Sequence, residues 1–179
     1  MKPGYVLHGV PGHPLHPPLT DATIGLYTAA TAFGVLSAFG VSEDNTASAW
    51  WLALVIGLVV TVPTALTGFA DWLQITRGTA IWRTATSHLL SMVVATVFFL
   101  LAAVWGHGGY LDDAVNTGPL VLTLVGFGLL TLGGWLGGTI VFVHGMRVLN
   151  LTDEPALRAS SPATTPEKSA AAGEQRPES

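Results

Sequence analysis

Cysteine is absent from the 179 residues of this chain. Its absence excludes disulfides, thiolate zinc sites, iron–sulfur clusters ligated by this chain and covalent haem attachment through a Cys-x-x-Cys-His sequence. Charge is scarce as well, because Lys, Arg, Asp and Glu together supply only 10% of the residues. Histidine and carboxylate side chains are therefore the strong ligands that remain for a metal or a cofactor.

The sequence also lacks the signatures of several functional classes. With a net charge of −4 and no basic stripe or aromatic platform, it is not expected to bind nucleic acid. Nucleophile motifs, phosphate-binding loops and paired carboxylates beside an evident cleft are missing, so we do not expect an enzyme that acts on its own. The first seventeen residues are rich in proline and have no apolar centre, so we expect no cleavable signal peptide there.

Four long apolar runs dominate what is present. None contains Asp, Glu, Lys or Arg, and they cover residues 22–41, 47–70, 85–106 and 119–143. Each can cross a hydrocarbon core of about 30 Å as a helix and far exceeds a barrel strand. Half of all residues are hydrophobic and the mean hydropathy is +0.54. Because the runs lack the polar stripes of soluble helices, they predict an all-α integral membrane protein.

The positive charges follow an alternating pattern relative to these runs. Every basic residue lies before the first run, between the second and third, or after the fourth: Lys2, Arg77, Arg83, Arg147, Arg158, Lys168 and Arg176. The other two connections carry only acids, which are Glu43, Asp44, Asp112 and Asp113. The positive-inside rule therefore predicts an up-down-up-down four-helix bundle in the bacterial inner membrane, with both termini in the cytoplasm.

The chain divides into three segments on composition. Residues 1–17 form a cytoplasmic arm rich in Pro and His, residues 18–150 the transmembrane domain, and residues 151–179 a cytoplasmic tail. The tail is expected to be disordered, because Ala, Ser, Pro, Thr and Glu dominate it without periodic apolar residues. The two halves of the membrane domain share an acidic outer loop but show no convincing residue match, so the sequence gives only weak support to an internal repeat. Tryptophans near the ends of the runs are expected to form interfacial belts, namely Trp50, Trp51, Trp72, Trp82 and Trp105.

The fourth run carries two overlapping small-x-x-x-small pairs, formed by Gly133, Gly134, Gly137 and Gly138. Such pairs present a bare backbone stripe and predict close packing against a neighbouring helix. The neighbour belongs either to the same chain or to a partner, so these glycines are also the candidate contact for a homo-oligomer.

Threading the runs through a membrane brings most ionisable residues near the bilayer to one depth, at the cytoplasmic surface. They are His13, His16, Asp21, Asp71, His88 and His144. His88 is the most deeply placed, roughly one helical turn beyond Thr84. An ionisable side chain at that depth requires a partner and points to function.

A b-type haem between two imidazoles is the most specific interpretation of this cluster. We favour His88 and His144 as axial ligands, with His13 or His16 as substitutes, because haem iron accepts a neutral imidazole nitrogen. Asp71 is the candidate partner for the second ring nitrogen. The propionates would meet basic side chains at the surface, namely Arg77, Arg83 and Arg147.

Three other interpretations stay open. In the simplest, His88 and Asp71 hydrogen-bond each other or nearby Arg and have only a structural role. In the second, His13 and His16 begin a divalent-metal site that His88, His144 or a carboxylate completes, although Pro14 and Pro17 are expected to keep this stretch out of regular helix. In the third, Asp71 and Asp21 carry protons. His8, in the arm, and His107, at the outer surface, are expected to be bystanders.

Four stretches resemble a bacterial four-helix membrane family known as domain of unknown function 2231. They are Gly-His-Pro-Leu-His-Pro at 12–17 with Ile-Gly-Leu at 24–26, Thr-Gly-Phe-Ala-Asp-Trp at 67–72, the segment 83–88, and Gly-Gly-Trp-Leu-Gly-Gly at 133–138. The likeness extends over residues 12–148. It implies the same four-helix fold and, since some relatives are joined to Rieske or cytochrome modules, membrane electron transfer with haem or quinone and such a redox partner. The alternative class is a non-catalytic membrane subunit that docks partner proteins.

Overall fold

The computed structural model describes residues 8–10 and 13–146. In this part of the chain, two short strands precede four long helices: β1 (Gly9–Val10), β2 (His13–Pro14), α1 (His16–Ala38), α2 (Glu43–Trp72), α3 (Ala80–Leu111) and α4 (Thr117–Phe142). All four helices are long and apolar enough to cross a membrane. The predicted all-α membrane bundle is confirmed, whereas the predictions for Arg147 and for the tail fall outside the described residues.

Each helix begins before its apolar run, because the first turn of a helix tolerates residues that the lipid core does not. In α1, Pro17 and Pro18 occupy the first turn, where the missing N–H has no intrahelical acceptor to lose. The expectation that proline keeps His16 out of regular helix is therefore wrong. In α2, Glu43 and Asp44 lie in the first turn, where negative charge is favoured by the helix dipole.

The two strands form a minimal antiparallel pair before α1. Gly9 pairs with Pro14, and Val10 pairs with His13. Gly9 has a φ of +75°, and a Cβ there would collide with the carbonyl oxygen of His13. Glycine is therefore required at this position of β1, where the chain passes close to the backbone of β2.

The bundle is apolar outside and carries hydroxyl groups inside, the reverse of a soluble protein. Large apolar side chains lie exposed along every helix, among them Leu36, Val59, Leu66, Val104 and Trp135. Buried hydroxyls include those of Thr23, Thr31, Thr64, Thr67 and Thr123. Within the described residues, no buried side-chain nitrogen or oxygen lacks a hydrogen-bond partner. This arrangement suits a lipid solvent, in which polar groups must be satisfied between helices.

The helices pack as two hairpins, α1 against α2 and α3 against α4, with α2–α3 and α1–α4 completing the ring. Thus α1 and α3 stand at opposite corners. At the centre of the bundle the rings of Tyr27 on α1 and Phe99 on α3 stack, with centroids 3.9 Å apart and planes 9° apart. Two side chains therefore meet across the diagonal and fix the spacing of the hairpins.

The sequence predicts Trp50 at the membrane interface. In the structure its side chain is instead fully buried inside the bundle. A Cβ on Gly34 of α1 would lie 2.9 Å from its ring, and a Cβ on Gly106 of α3 would overlap it. Its Nε1 donates to the hydroxyl of Thr123 on α4 at 3.1 Å. A single indole thus joins all four helices, and two glycines provide the space for it.

Candidate functional site: two anchored histidines

The site lies where α1 and α3 begin and α2 and α4 end, which we call the histidine end. His16 is the first residue of α1, and its Nδ1 donates to the backbone carbonyl of Thr64 on α2 at 3.0 Å. The same ring lies on Gly68, where a Cβ would approach it within 2.6 Å. The hydroxyl of Thr20 is 3.4 Å from Nε2, too long for a strong bond. Nδ1 is therefore engaged, while Nε2 keeps its lone pair.

His88, two turns into α3, is held in the same way by the other hairpin. Its Nδ1 donates to the backbone carbonyl of Gly133 on α4 at 2.7 Å. The ring lies on Gly137, where a Cβ would come within 3.2 Å. Because a carbonyl only accepts, the proton must be on Nδ1, so the lone pair of the neutral imidazole is again on Nε2.

The two anchoring contacts occur at equivalent places in the hairpins. Thr64 lies four residues before Gly68, just as Gly133 lies four residues before Gly137. In each hairpin the histidine on the first helix thus contacts the second helix twice. It donates to a backbone carbonyl there, and its ring covers the glycine one turn later.

The correspondence continues into the core. Tyr27 follows His16 by eleven residues, and Phe99 follows His88 by eleven. The Tyr27 ring lies on Gly57 of α2, and the Phe99 ring on Gly126 of α4. These glycines each precede the anchoring carbonyl by seven residues, that of Thr64 and that of Gly133. The two halves therefore share a register of contacts, although few residue types match.

This register directs both imidazoles toward the interior. Eleven residues correspond to almost three full helical turns, so His16 and Tyr27 share one face of α1. His88 and Phe99 share one face of α3 for the same reason. Since Tyr27 and Phe99 stack at the centre, the histidines lie on inward faces at one depth, about 16 Å along each helix from the stack. His16, His88 and Asp71 thus belong to the same end of the bundle.

Asp71 is the buried acid of the histidine end, one residue before the last of α2. His8 donates from Nδ1 to its Oδ1 at 2.8 Å, and Gln74 donates to Nε2 of His8 at 2.8 Å. The sequence analysis expects His8 to lie apart from this centre in the arm, whereas the structure places its ring against Asp71. The partner of His88 is the Gly133 carbonyl, which differs from the Asp71 contact that the sequence suggests.

The remaining predicted residues lie around this centre. His144 contacts the hydroxyl of Thr84 through Nε2 at 3.1 Å. His13 lies exposed on β2, and Asp21 is exposed on α1. Arg77 and Arg83 flank the α2–α3 connection, where Nη1 of Arg83 donates to the Gly78 carbonyl at 3.0 Å. Among the described residues, no three His or carboxylate side chains form a group able to hold a metal ion, so the divalent-metal interpretation gains no support.

His107 lies at the opposite end of the bundle, far from this centre. Its ring is 5.3 Å from that of Trp51, which stacks on Tyr110 at 4.4 Å. Trp51 is fixed by a bond from Nε1 to the Ala103 carbonyl at 2.9 Å. An open apolar groove of about 440 Å³ lies beside this aromatic group, between α2 and α3.

Sequence comparison agrees with the architecture. The family model described as "Predicted membrane protein (DUF2231)" matches residues 12–150. No curated protein and no solved structure matches the chain. The matched range includes both anchored histidines, Asp71 and all four helices.

Proposed function

Because the chain belongs to the DUF2231 family of predicted membrane proteins, we propose a function within the bilayer: it is an electron-transfer subunit that binds one b-type haem between His16 and His88. The observation that carries this proposal is the matched anchoring of the two imidazoles. Each donates Nδ1–H to a backbone carbonyl and keeps the Nε2 lone pair. Ligating histidines are usually oriented by such a bond, which fixes the tautomer and raises the basicity of the ligand.

The surroundings of the histidines fit an axial pair. Each ring lies against a glycine, Gly68 for His16 and Gly137 for His88, in space that a Cβ would occupy. The orientation of both rings is therefore set before a ligand binds. They come from α1 and α3, at opposite corners of the bundle, so each hairpin would contribute one residue to hold the group. The pair differs from the His88–His144 pair that the sequence favours, because Nε2 of His144 contacts the hydroxyl of Thr84.

The chain would contribute orientation, charge and exclusion of water. When bound, haem supplies one-electron redox chemistry, whose potential depends on its axial ligands and burial. Asp71 is buried at the same end of the bundle and would place negative charge near the group. The apolar helix surfaces keep the site within lipid. The redox partner would be a Rieske-type or cytochrome-type protein that docks at the membrane surface.

Haem content tests the proposal. Full-length protein, expressed with haem precursor and purified in detergent, is expected to contain about one haem per chain. His16→Ala and His88→Ala should each lower the content at least tenfold, because each removes one axial ligand and its anchoring bond. His107→Ala is the matched control and should retain the full content.

Membrane yield and elution volume must be compared for every variant, so that loss of haem is not confused with misfolding. A wild-type protein without haem under these conditions would refute the proposal. Full haem content in a folded His88→Ala variant would remove that residue as a ligand.

A second candidate is a docking subunit, favoured by the outer face of α4. A Cβ on Gly134 would meet nothing within 4 Å, and one on Gly138 would meet only Phe142 of the same helix, at 3.9 Å. These two glycines present a small-x-x-x-small pair to the lipid, where a second copy or another membrane helix can approach closely. Docking and haem binding use different faces of the same helix and are compatible.

A further inference from the structure

The connection between α2 and α3 carries two guanidinium groups, and partly buried tryptophans flank it at the end of α2 and the start of α3. Arg77 and Arg83 are both exposed, and the only ion pair formed by the described residues is that between His8 and Asp71. Neither guanidinium is therefore neutralised by a carboxylate in this part of the chain. Arg83 is oriented along the connection by its bond to the Gly78 carbonyl.

The rings of Trp72 and Trp82, which we call the aromatic ledge, adjoin these charges on the membrane side. The ring centroid of Trp72, at the end of α2, lies 6.3 Å from that of Trp82, in the first turn of α3. It lies 5.6 Å from the ring centroid of Phe69. Nε1 of Trp72 donates to the hydroxyl of Thr86 at 3.0 Å, which fixes the indole across the two helices. Indoles prefer the interface, where a polar edge meets headgroups and the ring covers the first part of an acyl chain.

Below the ledge the surface is apolar and exposed. On α2, further from the connection than Trp72, Phe69 is 46% exposed and Leu66 is 59% exposed. From the connection toward the middle of the bundle, the surface is therefore first cationic, then aromatic and finally aliphatic. This order matches the phosphate, glycerol and acyl regions of a phospholipid.

We propose that Arg77, Arg83, Trp72 and Trp82 form a binding site for one anionic phospholipid, with its phosphate between the two guanidiniums. Charge complementarity selects the anionic class, because the described residues place no acid beside either guanidinium and Arg binds phosphate through several N–H donors. The site is independent of haem, since none of its four residues ligates iron in the proposal above.

Binding of phosphatidylglycerol and phosphatidylcholine with identical acyl chains tests the site. Native mass spectrometry of the detergent-purified full chain would give the affinity for each lipid. We expect roughly tenfold tighter binding of phosphatidylglycerol, from two basic residues that each contact the headgroup region. Arg77→Gln/Arg83→Gln should abolish this preference. Arg158→Gln/Arg176→Gln makes the same change in net charge and should leave it intact.

Four outcomes would overturn the proposal. Equal affinity for the two lipids would exclude selection by charge, and a preference that survives Arg77→Gln/Arg83→Gln would place the site elsewhere. Competition by inorganic phosphate alone would indicate a simple anion site. His16→Ala/His88→Ala protein should retain the preference, so failure of the haem proposal is read separately. A preference seen only in that variant would assign the guanidiniums to propionates and also count against the lipid site.

Discussion

Trp50 shows how one residue joins the bundle. Its ring fills space left by Gly34 and Gly106, and its Nε1 has a hydroxyl partner on a fourth helix. In a membrane, helix association rests on close packing and interhelical hydrogen bonds, because lipid tails are as apolar as the side chains they would replace. Trp50 supplies both, so its removal should leave a cavity and delete the hydrogen bond to Thr123 of α4.

Trp50→Ala is expected to lower the free energy of unfolding by about 3 kcal/mol, the usual range for a large buried aromatic residue. Unfolding in mixed micelles, followed by circular dichroism, measures the change. Trp135→Ala is the control, since Trp135 is 69% exposed to the lipid side and should change stability by less than about 0.5 kcal/mol. Equal effects of the two substitutions would show that Trp50 does not hold the helices together.

The candidate site was partly predictable at this scale. His16, His88 and Asp71 are recognisable because ionisable residues are rare in apolar runs, and their common depth follows from counting residues. Their partners are not recognisable, since Thr64 and Gly133 accept through backbone carbonyls, which every residue possesses. Only the equal eleven-residue spacing from each histidine to an aromatic residue could have indicated the pair proposed above.

At the scale of the element, α4 uses its glycines on two faces. Gly133 and Gly137 lie against Met92 and His88 inside the bundle, whereas Gly134 and Gly138 face outward. The predicted close packing through this stripe therefore divides into an internal contact, which the fold contains, and an external one that the docking proposal requires. Helix existence was predictable from the apolar runs. Helix ends were not, because proline and acids are favourable in the first turns.

Gly138→Leu is expected to disperse an oligomer of the purified protein, because an isobutyl group would prevent close approach of a second helix. Light scattering after size-exclusion chromatography would report the mass of the protein in the micelle. Gly128→Leu, on another open part of α4, should leave the assembly unchanged. An oligomer that survives Gly138→Leu would refute docking through this face.

At the scale of the whole molecule, the chain consists of two hairpins with one plan. Each presents a histidine at one end and an aromatic ring at the centre, and the rings stack across the diagonal. This shared spacing of contacts is not evident from the sequence, because the helices that carry it differ in residue type. The four-helix membrane architecture itself was predictable from length, hydropathy and charge alone.

We propose that the histidine end faces the cytoplasm, as the basic residues near it indicate. A reporter fused after Asn150 should then be active only in the cytoplasmic form, and one inserted between Asp112 and Asp113 only in the exported form. The opposite pair of signals would invert the proposed orientation and move the lipid site to the outer leaflet.

The central claim is that two hairpins contribute one axial imidazole each to a single haem. The electron paramagnetic resonance spectrum of the ferric, haem-loaded protein tests it most directly, because the spin state reports both axial ligands together. We predict a low-spin spectrum typical of two imidazoles, converted to high spin by either His16→Ala or His88→Ala. A protein that takes up no haem, or a low-spin spectrum unchanged in either variant, would contradict the account.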